Sequence, residues 1–190
     1  QYTLGWMYHK GFGVEKDDEQ AVELFQQAAN QGFTLAQTKL GLMCIKTNKK
    51  TKALKWLKSA AEKGNSLAQT NLAMLYLKGR GVTKSYKKAF HCFKLAAQQG
   101  QNVAQNKLAR MYELGRGVMQ DKINAYKWYS ISFLCGNKTS HHAIKNITKN
   151  MNESQLLQAK EIVRTYLINQ ADNNKTNFDK SQLAAEFSSM

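Results

Sequence analysis

Proline is absent from this chain of 190 residues, in which average usage would place roughly nine or ten. The absence excludes proline-rich linkers and recognition tracts. It also disfavours sandwich and barrel folds, which use Gly and Pro in many turns. With a hydrophobic fraction of 43%, the composition favours a largely helical protein. The length suits one domain or a short array of repeats.

Arginine is scarce although the chain is strongly basic. Lys and Arg together number 28 against 13 Asp and Glu, which gives a net charge of +15, yet only four of the 28 are Arg. Specific recognition of phosphates and bases relies on the bidentate guanidinium group. A lysine excess spread along the chain therefore indicates a solvated basic surface and disfavours a nucleic-acid site.

Cysteine and long apolar runs are also sparse. Cys44, Cys92 and Cys135 are far apart and have no zinc-ligand spacing, so we expect neither a disulfide scaffold nor a metal site. Apolar runs such as 72–77 are too short to span a bilayer, so we predict no transmembrane segment.

One sequence unit recurs four times. Internal repetition at 30 to 40 residues is typical of a solenoid. The first segment lies at 4–8, 40–44, 72–76 and 108–112; a glycine turn follows at 11–14, 79–82 and 115–118; a second segment lies at 21–32, 53–64, 89–100 and 125–136.

The second unit is shortened. From Tyr8 to Ala21 the step is 13 residues, as it is in units three and four, whereas from Cys44 to Ala53 it is nine. Unit two has therefore lost four residues and with them the whole glycine turn.

The recurring residue types have physical reasons. Small residues such as Gly5 and Gly41 allow close helix packing, and the first Gly of each turn suits a left-handed helix C-cap. Asp17, Ser85 and Asp121 are placed to cap the second helices. We predict helix–turn–helix units at about 1–35, 36–67, 68–103 and 104–137.

This pattern resembles the Sel1-like repeat, a relative of the tetratricopeptide repeat. The resemblance covers residues 2–136 and rests on the alanine, Leu-Gly, Tyr and Gly-x-Gly-Val positions, the paired alanines and the closing Gly. It implies an all-α fold, a right-handed α-α superhelix. Gln1 corresponds to the second position of a unit, so we expect the chain to be part of a longer array.

Two further helices are expected after the array, at 139–150 and 153–169 within a capping region 138–170. Residues 151–155 resemble the start of the terminal helices that close bacterial arrays of this family. A polar tail at 171–190 is expected to be mobile. The second helix presents an apolar stripe that would cover the last repeat, formed by Leu156, Leu157, Ala159, Ile162, Val163, Tyr166 and Leu167.

Catalytic signatures are weak, and we expect no enzyme, no cofactor and no metal. His91 and Cys92 are adjacent on a helix and so point in different directions. Cys92 also occupies the position of Trp56 and Trp128 in other units, which makes it a packing residue. The turn lacks the third Gly of a dinucleotide fingerprint and the Gly-Lys-Ser/Thr of a P-loop.

A partner-binding surface is predicted from the positions that the repeat pattern leaves free. Numbering each unit from its alanine, positions 4, 7 and 11 of the first helix avoid the buried stripe. They are expected to form a concave groove for a segment of another protein, with acidic partners favoured by the lysines. The alternative is that these side chains complete the core. The predicted residues are Trp6, Lys39, Leu42, Asn71, Met74, Lys78, Lys107 and Arg110.

A rival interpretation concerns residues 46–63, which hold seven lysines and one acid. Such a segment attracts anionic lipid head groups or nucleic acid. Trp56, its one aromatic residue, is at a core position and is not available for stacking on bases. The predicted basic patch consists of Lys46, Lys49, Lys50, Lys52, Lys55 and Lys58.

The family resemblance implies adaptors and scaffolds, many of them bacterial and some of them factors of intracellular pathogens that engage host proteins. It favours the bacterial periplasm, secretion or translocation into a host as the location. The polar tail is a candidate secretion signal, which deletion of residues 178–190 and a measurement of export would test.

Overall fold

The structure is a computed structural model that describes residues 1–172, with side chains described through residue 170. Ten helices account for most of this part of the chain. They are α1 (Tyr2–Lys10), α2 (Asp18–Asn30), α3 (Thr34–Lys46), α4 (Lys50–Glu62), α5 (Ser66–Lys78), α6 (Tyr86–Gln98), α7 (Asn102–Leu114), α8 (Lys122–Leu134), α9 (Thr139–Thr148) and α10 (Glu153–Asp172).

The helices pack as consecutive pairs. Helices α1 and α2, α3 and α4, α5 and α6, and α7 and α8 form four hairpins, and the second helix of each hairpin packs on the first helix of the next. This is the predicted all-α solenoid, which the structure confirms. No helix in the described range is long and apolar enough to cross a membrane.

Small residues set the distance between the helices of the array. Ala36, Ala68 and Ala104 are fully buried, and a Cβ at Gly41 would lie 2.6 Å from Leu57 Cγ. The leucine that follows each of these alanines by four residues is also buried: Leu40 is 3% exposed, Leu72 5% and Leu108 0%. Burial of one such side chain stabilises the folded state by about 1.5–3 kcal/mol. Leu4 of α1, the first helix of the described residues, is 41% exposed.

A buried glutamine joins each unit to the one before it. Gln37 Nε2 donates to the carbonyl of Ala29 (3.1 Å), Gln69 Nε2 to Ala61 (3.2 Å) and Gln105 Nε2 to Ala97 (3.3 Å). Each of these carbonyls lies near the end of a second helix and also accepts the backbone N–H of Gly32, Gly64 or Gly100, so the glutamine supplies a second hydrogen bond to it.

The predicted caps form. Gly11, Gly79 and Gly115 adopt the left-handed conformation at the ends of α1, α5 and α7, with φ of 72°, 66° and 63°. At the starts of α2, α6 and α8, side-chain oxygens accept backbone N–H groups; these belong to Asp17, Ser85 and Asp121.

In units three and four the second glycine of the turn rests on the preceding unit. Gly117, with φ of +76°, contacts the backbone of Tyr86 at the start of α6, and Gly81, with φ of +74°, contacts Lys50 at the start of α4. The turn of one unit thus covers the N-terminus of the second helix of the unit before it.

Helices α9 and α10 both pack on α8 and close the end of the array. Ala159, Val163 and Leu167 of α10 are at most 2% exposed, as the stripe predicts, whereas Leu157 is 63% exposed. The prediction was wrong for Leu157, because this side chain lies beyond the edge of the face that α10 presents to α8. Since α10 continues to Asp172, the first two residues of the predicted tail are helical; the remainder lies outside the described residues.

Gly117→Ala is expected to destabilise the array far more than Gly64→Ala. Both residues have positive φ, which costs roughly 1–2 kcal/mol for an L-residue with a side chain. A Cβ at Gly64 meets nothing within 4 Å, whereas one at Gly117 would lie 2.5 Å from the Tyr86 carbonyl carbon. We expect the free energy of unfolding to fall by about 3 kcal/mol or more for Gly117→Ala.

Urea denaturation of both variants measures the difference. Equal destabilisation by Gly117→Ala and Gly64→Ala would contradict the contact between the turn and the preceding unit.

Candidate partner-binding surface

The predicted site residues lie along one stripe of the first helices. In α3 the stripe contains Lys39, Leu42 and Lys46, whose spacings of three and four residues bring them onto one face. Six of the eight predicted residues are half-buried and two are exposed. Half-buried are Trp6, Lys39, Leu42, Asn71, Met74 and Lys107; exposed are Lys78 and Arg110.

Trp6 and Lys39 form the contact that joins units one and two on this stripe. The Lys39 ammonium lies 4.1 Å from the centroid of the Trp6 ring, and Lys10 approaches the same ring at 5.3 Å. Trp6 Nε1 donates to the Tyr2 hydroxyl (2.7 Å). The indole is therefore held in place, with cations at its face.

Lys39 lies in a basic neighbourhood. Burial lowers the pKa of Lys39 first, and the positive charges of Lys46 and Lys10 lower it further. An anionic group arriving here would relieve this repulsion.

A cavity of about 900 Å³ opens beside these residues, between α2 and α3. Three predicted residues, Lys39, Leu42 and Asn71, line it together with Lys46 of the basic patch. Its opposite wall comes from the first turns of α2 and consists of Asp18, Glu19, Val22 and Glu23.

The shortened second unit explains this cavity. Gly81 in the turn of unit three covers Lys50, the first residue of α4, and Gly117 in the turn of unit four covers Tyr86, the first residue of α6. The corresponding first residue of α2 is Asp18, which a turn in unit two would cover. Unit two has no such turn, and only Thr47, Asn48 and Lys49 connect α3 to α4. The start of α2 is therefore left uncovered.

Asp18 of the acidic wall has two side-chain partners of its own. Asp18 Oδ1 lies 2.7 Å from His9 Nδ1, and Asp18 Oδ2 lies 3.5 Å from Lys16 Nζ. The hydrogen bond with His9 is the main cause that lowers the pKa of Asp18. The cavity thus has carboxylates on α2 and ammonium groups on α3, a mixture that the sequence analysis did not predict.

The remaining predicted residues do not share this cavity. Met74 is half-buried and packs against the apolar core of units three and four, as the alternative interpretation expects. Lys78, Lys107 and Arg110 lie further along the stripe, outside the cavity lining.

Three apolar residues on the same stripe were missed. Leu35, Leu67 and Val103 are 48%, 42% and 48% exposed, and each lies one residue before the alanine from which its unit is numbered. Four residues separate each of them from position 4, so they share the face of the predicted groove. Their recurrence was the signal that could have found them.

The predicted basic patch is exposed but does not form one compact surface. Lys50, Lys52, Lys55 and Lys58 spread over the whole exposed side of α4. Lys55 lies 5.2 Å from the Trp56 ring centroid, and Lys58 pairs with Glu62 at 3.9 Å. Trp56 is only 9% exposed.

The sequence model of the Sel1 repeat matches this chain four times, at residues 1–33, 34–65, 66–101 and 102–137. The chain belongs to the Sel1 repeat family. The three internal boundaries lie two residues earlier than the predicted ones, because each first helix begins two residues before the alanine used for numbering. Sel1 repeat proteins generally mediate protein–protein interactions, and the family is a non-catalytic scaffold family.

Two solved structures are similar. One is a protective antigen present in uropathogenic Escherichia coli strains, with an SLR fold, 33% identity and a TM-score of 0.81 over 87% of this chain. The other is a Sel1 repeat protein from Oxalobacter formigenes, with 29% identity and a TM-score of 0.72 over 84% of this chain. The chain spans 37% and 50% of the lengths of these two proteins. A search of curated proteins gives no match.

Restoring the missing turn is expected to close the cavity. Replacing Thr47–Lys49 with the Gly-Arg-Gly-Val-Thr-Lys-Ser sequence of unit three adds the four residues that unit two lacks. The new glycine would then cover Asp18, and we expect amide hydrogen exchange at the start of α2 to slow by roughly tenfold.

Asn48→Gly, which alters the same loop without lengthening it, is the control. Unchanged exchange at residues 18–23 in the lengthened variant would show that the cavity has another origin.

Proposed function

We propose that this chain is an adaptor whose first-helix stripe binds a segment of another protein. The observation that carries the proposal is the cavity at the α2–α3 junction, where the predicted residues Lys39, Leu42 and Asn71 meet. Membership of the Sel1 repeat family supports a protein partner.

The lining of the stripe indicates the chemistry of the bound segment. Leu35 and Leu42 offer apolar contacts, Lys10 and Lys39 offer positive charge at the Trp6 ring, and Lys46 adds positive charge to the cavity lining. An extended or helical segment with apolar side chains and acidic neighbours matches this arrangement. The carboxylates of α2 would set the direction of the segment, because its acidic residues would lie beside Lys39 and Lys46 and away from Asp18 and Glu19.

Leu42→Glu is expected to weaken partner binding without unfolding the array. The side chain is half-buried in the cavity wall, so a carboxylate there adds repulsion and removes an apolar contact. We expect affinity for the captured partner to fall by at least about tenfold. Affinity capture with quantitative mass spectrometry, followed by titration of the partner, measures the loss.

Lys94→Glu on α6 is the matched control, because Lys94 is exposed and lies outside the cavity lining. Circular dichroism verifies that both variants are helical. Full retention of the partner by folded Leu42→Glu would refute the proposed groove.

A second candidate function is binding of an anionic membrane surface, favoured by the exposure of all six lysines in the basic patch. Binding that depends on phosphates falls steeply as salt rises. If this function is real, flotation with anionic vesicles should decline strongly between low and physiological salt, and Lys50→Glu with Lys52→Glu should abolish it. Parallel titration with duplex DNA separates nucleic acid from lipid.

A bacterial envelope or host-exposed location is part of the same proposal, together with a role in virulence. Its support is the similarity to a protective antigen of uropathogenic Escherichia coli. Fractionation of the source cells tests the location.

A further inference from the structure

One position of the second helices holds an indole in units two and four but not in unit three. Trp56 of α4 and Trp128 of α8 are only 9% and 6% exposed. The residue at the same repeat position of α6 is Cys92, a much smaller side chain. Unit three therefore lacks the group that fills this position in its neighbours.

The chain itself shows how this position holds an indole. Trp56 belongs to an apolar cluster with Ala29 and Leu40 of the preceding helices. The residue before the indole supplies a cation in both units, with Lys55 at 5.2 Å from the Trp56 ring centroid and Lys127 at 5.1 Å from that of Trp128. Apolar walls and an ammonium group are the surroundings that an indole prefers.

Unit three keeps the apolar part of these surroundings around an open cavity, but the residue before Cys92 is His91, where units two and four have Lys. A cavity of about 660 Å³ lies between α4, α5 and α6, with Cys92 in its lining. Ala61 and Leu72, which are the repeat equivalents of Ala29 and Leu40, also line it, and Tyr76 and Leu95 complete its apolar surface.

Positive charge surrounds the opening. Lys58, Lys87 and Lys88 line the cavity, whereas Glu62 is its one carboxylate and is paired with Lys58 at 3.9 Å. The Lys88 ammonium lies 5.5 Å from the Tyr76 ring centroid, at the side of the cavity. The rim thus favours an anionic molecule, while the floor favours an apolar one.

We propose that the cavity beside Cys92 binds a tryptophan side chain carried by an acidic segment of a partner protein. The indole would take the place that Trp56 and Trp128 occupy in their own units, and neighbouring carboxylates would pair with Lys87 and Lys88. The volume exceeds that of one indole and leaves room for the flanking backbone.

This site is separate from the first-helix stripe. Residues of α4 and α6 line it, together with Leu72 and Tyr76 of α5. Leu72 and Tyr76 are at positions 5 and 9 of unit three, whereas the stripe uses positions 4, 7 and 11. The inference therefore stands independently of the proposed groove.

The probe is the acetylated and amidated peptide Glu-Glu-Trp-Glu-Glu, titrated into the full chain and followed by NMR. Cys92→Trp fills the cavity from within, so we expect it to weaken peptide binding by at least about tenfold and to raise the melting temperature. Cys92→Ala removes the thiol and keeps the cavity open, and should bind as the native chain does. The peptide with Ala in place of Trp should not bind.

The charge contribution is tested on α6 alone. Lys87→Glu with Lys88→Glu should weaken peptide binding by about tenfold, and Lys94→Glu, on the same helix but outside the lining, should change it by less than about twofold. Leu42→Glu should leave peptide binding intact, which separates this site from the first-helix stripe. Equal binding by Cys92→Trp and the native chain would overturn the proposal.

Thiol protection provides a second measurement on the unmodified chain, in case Cys92→Trp does not fold. Burial raises the pKa of the Cys92 thiol, so alkylation by iodoacetamide is run in mildly alkaline buffer and quantified at each cysteine by mass spectrometry. The peptide should slow alkylation of Cys92 and leave Cys44 and Cys135 unaffected. Alkylation of Cys92 at an unchanged rate would also refute binding in this cavity, and protection by free indole alone would assign it to a small aromatic molecule instead.

Discussion

The close approach of helices at alanine and glycine is the constraint on which this array depends. Ala36, Ala68 and Ala104 are fully buried, and the distance they permit brings a glutamine of each unit within 3.1–3.3 Å of a carbonyl in the preceding unit. A larger side chain at these positions would separate the helices and break these hydrogen bonds between units. The burial of the leucines that follow these alanines by four residues and the contacts of the turns with the preceding unit follow from this spacing, because each of them involves a helix whose position the alanines determine.

Both cavities lie where a unit departs from the regular pattern. Unit two lacks the turn that would cover Asp18, and the cavity with Lys39 and Leu42 opens at that point. Unit three has Cys92 where the neighbouring units have Trp, and the second cavity opens there. A unit that follows the pattern fills its own interior and leaves little apolar area for a partner. The missing turn of unit two and the missing indole at Cys92 each leave such apolar area exposed, while the helix pairs on either side keep the regular packing.

Most of the fold followed from the sequence because local rules and repeat spacing agree. The helix ends at Gly11 and Asp17 are fixed by short-range chemistry, and the shortening of unit two is visible as a step of nine residues instead of 13. The candidate site was harder to predict. Lys39 and Leu42 were found from helical periodicity alone, but the acidic wall at Asp18 comes from a different helix and depends on how consecutive units pack. Leu157 has the spacing of a buried residue and is exposed, because periodicity defines a face and only packing determines how much of that face is covered.

The two cavities also differ in how their occupants would affect the array. The cavity at the α2–α3 junction has charges of both signs in its walls, so an occupant must match those charges and gains specificity more than stability from them. The cavity beside Cys92 has an apolar floor, and an indole there would supply the inter-unit packing that Trp56 supplies between units one and two. Since stability in a solenoid is the sum of the unit stabilities and the contacts between neighbours, an occupant of the second cavity would strengthen the junction between units two and three. Binding of an indole beside Cys92 would therefore make the array more rigid at the junction between units two and three.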